Sequence, residues 1–230
     1  MKLIILTAGL GTRFKPLTDT IPKGMVPVLG EPLLKHVLLP FLPHVSEIIF
    51  VVNNSLGIKI KDYFGENYLE HKVSYKIQEE QKGTMDALMT CKDLIEKGEL
   101  FCVANGDDLF TEKDIKSAVE RKQIGMGISK KIMPKNYLGV KIEDDKVGGF
   151  TRHETEEEFV EDMFCNGFHI LDDKVFSFDA IKTKDGELGL PHTLFNNLEK
   201  YPLNAIPFEK WETVNRPEDI PSAEKFLKNE

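Results

Sequence analysis

The first 25 residues hold the clearest candidates for chemistry, because two glycines are followed there by two cations. Gly9 and Gly11 come directly after an apolar run, so peptide N–H groups can face an anion without an intervening side chain. Arg13 can donate two parallel hydrogen bonds to phosphate oxygens, and Lys23 adds a point charge. This spacing predicts a loop wrapped around a polyphosphate. A surface turn with two solvated cations is the alternative, which Gly-x-Gly alone does not exclude.

A second candidate segment, residues 77–88, has the sequence IQEEQKGTMDAL and carries groups suited to a pyrimidine base. Gln78 would project from the end of a strand, where its amide can accept from a ring N–H and donate to one carbonyl. The backbone N–H of Gly83 needs an acceptor and would reject the amino group of cytosine. These groups predict uracil or thymine. A helix cap at Gly83 and Thr84 is an alternative interpretation that is compatible with base binding.

A third candidate follows the buried run LFCVA, where the chain continues as Asn-Gly-Asp-Asp. A carboxylate at the carboxyl end of a strand, beside bound phosphates, is the ligand that Mg²⁺ requires to bridge an α-phosphate. Asp and Gly are also the commonest turn residues, so an ordinary turn is the alternative. The pattern predicts a magnesium carboxylate only in combination with the phosphate loop.

The elements that must position these residues follow from the alternation of apolar and amphipathic runs. Short strands separated by helices indicate a mostly parallel sheet with right-handed crossovers, whose carboxyl edge is the usual place for ligands. After about residue 130 the pattern changes to an α+β portion laid against the edge of the first. The predicted strands are Leu3–Thr7, Glu47–Val52, Val73–Ile77, Leu100–Ala104, Gly125–Ser129, Tyr137–Ile142, Lys146–Thr151 and Met163–Leu171, and the predicted helices are Pro32–Leu42, Ile58–Phe64, Thr84–Lys97, Glu112–Lys122, Leu190–Tyr201 and Arg216–Leu227.

The composition of the 230 residues, 41% hydrophobic and 30% charged, indicates a soluble globular protein with a substantial core. A formal net charge of −8 argues against general nucleic-acid binding but permits a basic pocket for a small anion. No apolar run approaches the ~20 residues of a membrane span, and the N-terminal stretch predicts a first strand, not a signal peptide. Three cysteines without a CxxC spacing indicate a reducing, cytoplasmic location.

The complete string AGLGTRFKPLTDTIPKGMVPVLGEPLL resembles the signature loop of the sugar-1-phosphate nucleotidylyltransferases. That signature is Gly-x-Gly-Thr-Arg, Pro-Leu-Thr, Pro-Lys and Pro-Val, in this order. The segment from Gln78 resembles the base-contact segment of uridylyl- and thymidylyl-transferring members, and is especially close to the uridylyltransferase that makes UDP-N-acetylglucosamine.

The resemblance implies a three-layer α/β/α Rossmann-like nucleotidyltransferase fold with a mixed, mainly parallel sheet and a small α+β sugar-binding portion. It covers most of residues 1–230 as a single nucleotidyltransferase domain, with 1–130 as the nucleotide-binding part and 131–230 as the sugar-binding and closing part. No left-handed β-helix is expected after it.

The resemblance also implies roles for individual residues. Asp107 would bind Mg²⁺, with Asp108 as a turn residue beside it. Asn215 would be a second metal ligand, and the N-cap of the last helix is its alternative role. Arg13 and Lys23 would be catalytic, and the nucleotide would contact Ala8, Gly9, Gly11, Thr12, Gln78, Gly83 and Thr84. The sugar would contact Gly139, Arg152, His153, Asn166 and Gly167, with Arg152 or His153 in place of a lysine that many members have; an exposed loop histidine is the alternative for His153.

The implied reaction transfers a nucleotidyl group from an NTP, with UTP or dTTP favoured, to a sugar 1-phosphate and releases pyrophosphate. No general base is needed because the attacking phosphate oxygen is already anionic, so the protein aligns the substrates and neutralises charge. A cytidylyltransferase acting on a non-sugar phosphate such as phosphocholine and a non-catalytic nucleotide-sugar sensor are the alternatives. A dinucleotide-dependent oxidoreductase lacks its third glycine here. No nucleic-acid or membrane partner is expected, and the sequence is compatible with a homo-oligomer.

Overall fold

The computed structural model describes residues 1–135, 137–151, 153 and 157–229 of the chain. Its strands are β1 (Lys2–Leu6), β2 (Pro27–Val28), β3 (Glu31–Pro32), β4 (Glu47–Asn53), β5 (Asn67–Tyr68), β6 (His71–Gln78), β7 (Phe101–Asn105), β8 (Asp108–Phe110), β9 (Gly125–Pro134), β10 (Gly139–Glu143), β11 (Lys146–Thr151), β12 (Phe159–Leu171), β13 (Asn204–Pro207) and β14 (Trp211–Thr213). Its α-helices are α1 (Leu33–Leu38), α2 (Gly57–Phe64), α3 (Thr84–Met89), α4 (Glu112–Glu120), α5 (Leu190–Phe195) and α6 (Ile220–Lys228).

Within these described residues, ten strands form one mixed sheet in the order β10-β11-β13-β9-β12-β7-β1-β4-β6-β5. The neighbours β7, β1, β4 and β6 are parallel, whereas β12 runs antiparallel to β7 and to β9. Two further pairs, β2 with β3 and β8 with β14, form small separate sheets. The parallel strands therefore end along one edge, and the predicted phosphate, base and metal segments follow β1, β6 and β7 at that edge.

Both faces of the central strands β1, β4 and β7 are buried, which explains why these strands are continuous apolar runs. In β1, Leu3 and Ile5 pack into one core, and Ile4 and Leu6 pack into the other. The first core includes buried residues of α1, α2, α4 and α6, and the second includes those of α3 and α5. The predicted three-layer α/β/α architecture with a mixed sheet is confirmed.

Several helices are shorter than predicted. The predicted helix Pro32–Leu42 becomes α1 followed by a 3₁₀ segment, Leu39–His44, because Pro40 and Pro43 have no N–H to continue an α-helix. The predicted helix Thr84–Lys97 ends at Met89, where the hydroxyl of Thr90 donates to a carbonyl of the last turn. The helices predicted over Leu190–Tyr201 and Arg216–Leu227 correspond to the shorter α5 and to α6.

The second half continues the sheet of the first half. The predicted hairpin is confirmed as β10 and β11, joined through Asp144 and Asp145, whose φ values of 48° and 62° suit a two-residue turn. The predicted change at residue 130 falls inside β9, and β12 is longer than the strand predicted over Met163–Leu171. The short strands β2, β3, β5, β8, β13 and β14 were not predicted.

Over the residues that the structure describes, no helix has both the length and the apolar character needed to cross a membrane. The three cysteines are free thiols, and burial raises the pKa of each to about 12, so none is an activated nucleophile.

Candidate active site

The loop after β1 is held in shape by its own residues. It passes through three 3₁₀ turns, Thr12–Phe14, Leu17–Asp19 and Lys23–Met25. Gly11 has φ +61°, and the hydroxyl of Thr18 donates to its carbonyl oxygen at 2.8 Å. Thr18 was not predicted to have a role, although the Pro-Leu-Thr part of the signature contains it. The bond explains why a threonine is needed there, since it closes the loop onto Gly11.

A cavity of about 190 Å³ lies against this loop at the carboxyl edge of the sheet. It brings together most of the predicted phosphate and metal residues, because Gly9, Gly11, Thr12, Arg13, Lys23, Asp107 and Asn215 all line it. Leu6, Thr7, Gly24 and Gly106 complete the lining and were not predicted. Residues from both ends of the chain thus share one small polar cavity.

Ala8 is an exception within the phosphate loop. Its side chain is buried, and its carbonyl oxygen accepts a hydrogen bond from Asn53 Nδ2 at 3.2 Å. The structure therefore gives Ala8 a role in linking the ends of β1 and β4, and the predicted nucleotide contact of Ala8 has no support from its geometry.

The pairing of β8 with β14 places the two predicted metal ligands side by side. Asp107 lies in the turn between β7 and β8, and its backbone carbonyl accepts a hydrogen bond from the N–H of Val214 at 2.9 Å. Asn215 follows Val214 directly, so the register of this small sheet brings its side chain to the Asp107 turn. The sequence indicated both residues but not the pairing that joins them.

Each predicted phosphate-binding cation contacts one predicted metal ligand. Lys23 Nζ lies 2.5 Å from Asp107 Oδ2, and both side chains are mostly buried. Arg13 Nη2 donates to Asn215 Oδ1 at 3.3 Å. The cavity therefore contains two pairs in which one member suits a phosphate oxygen and the other suits a divalent cation.

The orientation of the Asn215 amide follows from its contacts. Arg13 can only donate, so Oδ1 faces it, while Nδ2 donates to Tyr137 Oη at 2.8 Å and to Thr213 Oγ1 at 2.9 Å. The side chain does not cap the last helix. Instead, the carboxylate of Asp219 accepts from the backbone N–H of Asn215 at 2.7 Å. Asn215 thus presents an oxygen to the cavity, and the N-cap alternative is wrong.

Asp108 is a buried structural carboxyl, not the predicted turn residue. It begins β8, is 3% exposed, and accepts hydrogen bonds from Trp211 Nε1 at 2.9 Å and Asn105 Nδ2 at 2.8 Å. Burial, followed by the neighbouring carboxylate of Asp107, raises the pKa of Asp108 to about 7. Gly167 packs directly against Asp108 and Asn105, where any side chain would overlap them.

The donors of Gln78 are used within the protein. Its side chain is 4% exposed, and Nε2 donates to the carbonyl of Gly83 at 3.0 Å and to Asp86 Oδ2 at 2.8 Å. The prediction that this amide donates to a base carbonyl is therefore wrong for this arrangement. Only its oxygen is left to accept from a ligand.

The structure shows why residue 83 is a glycine. At φ +119°, a Cβ on Gly83 would lie 2.5 Å from the carbonyl oxygen of Leu188, so the backbone of a distant segment fills the space beside it. No described residue accepts from the Gly83 N–H. Thr84 is also tied to this segment, because its hydroxyl accepts from the N–H of Leu190 at 2.9 Å.

The predicted sugar residues separate into two groups. Gly139 lies against Thr151, Asp162 and His153, with His153 Nε2 3.1 Å from Asp162 Oδ2. His153 is half-buried in this cluster, so the exposed-loop alternative is wrong. Arg152 lies outside the described residues.

Asn166 belongs to the interior of the sheet. It is fully buried, its Nδ2 donates to Ser129 Oγ at 3.2 Å, and its Oδ1 accepts from the N–H of Phe168 at 3.1 Å. A sugar cannot reach it, so the predicted sugar contact of Asn166 is corrected to a structural role in β12. Gly167, with its neighbours Asp108 and Asn105, is likewise explained by packing.

The donor set of the cavity fits Mg²⁺. Mg²⁺ is usually held by one or two carboxylates together with waters and substrate phosphates, and Asp107 Oδ2 and Asn215 Oδ1 supply two hard oxygen donors. In the described part of the chain, no group of three or more His, Cys, Asp or Glu side chains could hold a metal ion without such help. The residues present therefore suit a metal that arrives with a phosphate ligand.

Known proteins resemble the chain along its whole length. The family model for nucleotidyl transferases matches residues 2–230. The bifunctional protein GlmU of Methanococcus vannielii is 34% identical over 238 residues, which cover 100% of this chain and 56% of the relative. The UTP–glucose-1-phosphate uridylyltransferase AglF of Haloferax volcanii is 37% identical over 110 residues, which cover 48% of this chain and 44% of that protein.

Solved structures support the fold. A UDP-glucose pyrophosphorylase in complex with UDP-glucose superposes with a TM-score of 0.85 at 21% identity, covering 100% of this chain and 99% of that chain. Because the chain spans only about half the length of the curated relatives it matches, activities of the whole relatives are not carried over to it.

Proposed function

The chain belongs to the nucleotidyl transferase family, and on that premise we propose that it transfers a nucleotidyl group from UTP or dTTP to a sugar 1-phosphate, releasing pyrophosphate. One observation carries the proposal. Two cations, Arg13 and Lys23, and two hard oxygen donors, Asp107 and Asn215, line a single cavity beside a glycine loop. A phosphate chain and its counter-cation are the ligands that match this set.

The residues of the cavity align the substrates and neutralise the charge of their phosphates. Arg13 and Lys23 exchange their contacts with Asn215 and Asp107 for phosphate oxygens, where they stabilise the charge that develops on the departing pyrophosphate. Asp107 and Asn215 are then free to hold Mg²⁺, which when bound supplies further positive charge at the α-phosphate. Gly9 and Gly11 line the same cavity, where their peptide N–H groups would add donors to the phosphates.

The attacking group needs no activation by the protein. A phosphate oxygen of the sugar is already anionic, so it attacks the α-phosphorus in line with the departure of pyrophosphate. The bond from the α-phosphorus to the sugar phosphate oxygen forms as the bond to the β-phosphate oxygen breaks. This chemistry agrees with a cavity that contains cations and oxygen donors, and with thiols whose pKa burial keeps high.

The base preference is proposed from Gln78 and Gly83. The Gln78 oxygen can accept from N3–H of uracil or thymine, and the Gly83 N–H can donate to the adjacent carbonyl. The name of the relative AglF, a UTP-dependent uridylyltransferase, supports the same preference.

Cytidylyl transfer to a non-sugar phosphate is the second candidate, and one observation favours it. With Nε2 of Gln78 engaged, the remaining acceptor and donor also match the amino group and N3 of cytosine if the ring shifts by one position.

A substrate panel tests the proposal and separates the candidates. Pyrophosphate release is measured with four NTPs, each with and without several sugar 1-phosphates or phosphocholine. We expect release only with an NTP and a sugar 1-phosphate together. UTP or dTTP should exceed CTP in kcat/KM by about 5- to 150-fold, because a mispaired buried polar group costs ~1–3 kcal/mol.

Each other outcome has a definite meaning. A clear preference for CTP overturns the base assignment, and release with phosphocholine but no sugar phosphate supports the cytidylyltransferase. Tight nucleotide-sugar binding without release from any pair identifies a non-catalytic sensor.

A further inference from the structure

We propose that Asp86 is a positioning residue that fixes the amide of Gln78 with its oxygen toward the nucleotide base. Gln78 then acts on the base only as a hydrogen-bond acceptor. The identity of the ligand rests on the proposed function, whereas the orientation of the amide rests on the geometry of residues 78–86 alone. Asp86 is therefore a specificity determinant that acts through Gln78.

The two partners of the Gln78 nitrogen can only accept hydrogen bonds. A backbone carbonyl and a carboxylate have no proton to donate, so Nε2 must face the Gly83 carbonyl and Asp86 Oδ2. In the flipped orientation, the amide oxygen would meet an oxygen at both contacts. An unrestrained glutamine can rotate its amide to suit uracil or cytosine in the same ring position, and this one cannot.

The oxygen of the same amide is left for a ligand. No described residue donates to Gln78 Oε1, and in the described part of the chain the buried polar side-chain atoms that make no hydrogen bond are ring nitrogens of His44, His153 and His169. Oε1 therefore reaches the surface of the protein, although the residue is 4% exposed.

The position of Gln78 places this oxygen on the edge that carries the phosphate loop. Gln78 is the last residue of β6 and pairs with Asn53, the last residue of β4. Asn53 in turn donates to the carbonyl of Ala8, directly before Gly9. Two strand spacings, roughly 10 Å in total, separate Gln78 from the start of the phosphate loop.

A fixed acceptor distinguishes the pyrimidines by their N3 position. In one and the same ring position, uracil and thymine present a proton to the Gln78 oxygen, whereas N3 of cytosine is itself an acceptor, so cytosine must shift by one position to offer its amino group instead. Asp86 also lies in the first turn of α3, where an acidic residue favours the helix terminus through charge alone. The test must therefore separate an acceptor for Gln78 from a charge at α3.

Two variants, Asp86→Ala and Asp86→Asn, distinguish the loss of the acceptor from the loss of the charge. We expect Asp86→Ala to lower the ratio of kcat/KM for UTP over CTP by about tenfold, because a hydrogen bond to a charged acceptor is lost. Asp86→Asn retains an oxygen acceptor at the same place and should keep most of the wild-type ratio. If Asp86 acted only through its charge at α3, both variants would lower the ratio equally. Glu80→Ala, which removes an exposed carboxylate of the same segment paired with Lys82, is the control and should leave the ratio unchanged.

A measurement independent of turnover decides the orientation itself. The side-chain amide protons of Gln78 are identified in ¹⁵N spectra by their loss in Gln78→Ala. In the wild type they should exchange with solvent more slowly than those of the exposed Gln123, and Asp86→Ala should accelerate them. Exchange as fast as that of Gln123 in the wild type would overturn the proposal. A wild-type preference for CTP, or no transfer at all, would refute the proposed function but leave this measurement decisive for Asp86.

Discussion

Replacing Asp107 with alanine is expected to lower kcat by roughly 10³-fold or more, and added Mg²⁺ should not restore it. The carboxylate is the only charged oxygen donor among the described residues of the cavity lining, and a metal at a phosphate supplies several kcal/mol of charge stabilisation. Its link to Val214 is made by the backbone carbonyl, which alanine keeps, so removal of the side chain should leave the fold intact. The measurement is the rate of pyrophosphate release over a Mg²⁺ titration, with EDTA abolishing the wild-type rate and Mg²⁺ restoring it.

Asp93→Ala is the matched control, because Asp93 is an exposed aspartate paired with Lys76 outside the cavity. Wild-type activity in this control, together with Mn²⁺ binding that is weakened only in Asp107→Ala, would attribute the loss to the metal site. Near-normal turnover in a folded Asp107→Ala variant, or full rescue by Mg²⁺, would contradict the assignment. Asp108 does not offer a useful comparison, since its buried bonds to Trp211 and Asn105 make it structural.

Replacing Arg13 with alanine is expected to lower kcat by ~10²–10³-fold, the usual effect of losing one donor to a developing negative charge. Arg13 is exposed, and its described side-chain hydrogen bond is the one to Asn215, so the variant should fold normally. The measurement is kcat at saturating NTP and sugar phosphate. Arg13→Lys should recover only part of the rate, because an ammonium group keeps the charge but cannot form two parallel bonds.

Lys15→Ala serves as the control for Arg13. Lys15 lies in the same loop, is exposed and pairs with Asp19, so its loss should change kcat little. Equal losses in the Lys15 and Arg13 variants would indicate a general effect of loop charge, and an Arg13→Ala variant with near-normal kcat would remove Arg13 from the mechanism.

The phosphate-binding and metal-binding residues could be located from the sequence because most of them follow closely after a predicted strand. Gly11 and Arg13 lie directly after β1, and Asp107 lies directly after β7, so predicting two parallel strands was enough to predict their proximity. Asn215 was identified only through the family resemblance. Its position depends on the pairing of β8 with β14, two strands too short to show a hydrophobic pattern.

The errors arose where the partner of a residue lies elsewhere in the chain. The Gln78 amide was predicted to donate to a base because nothing in the sequence indicates that Asp86, an acidic residue in the first turn of a helix, accepts a hydrogen bond from it. The packing of Leu188 in the space where a Cβ of residue 83 would lie was not predicted. Asn166 lies in a strand that resembles a sugar-binding one, yet it bonds to Ser129 of β9 inside the sheet. Composition and spacing contain no information on such contacts, since they depend on the three-dimensional register.

Exchange of labelled pyrophosphate tests direct nucleotidyl transfer to a sugar phosphate most directly. The chain is incubated with Mg²⁺, ³²P-labelled pyrophosphate and either UDP- or dTDP-sugars or the corresponding triphosphate alone. If a sugar phosphate attacks directly in line, the reverse reaction should carry label into UTP or dTTP only when the nucleotide sugar is present. Label that enters UTP from UTP and pyrophosphate alone would reveal a covalent nucleotidyl-enzyme, and no label from any uridine or thymidine sugar would show that the chain does not catalyse this transfer.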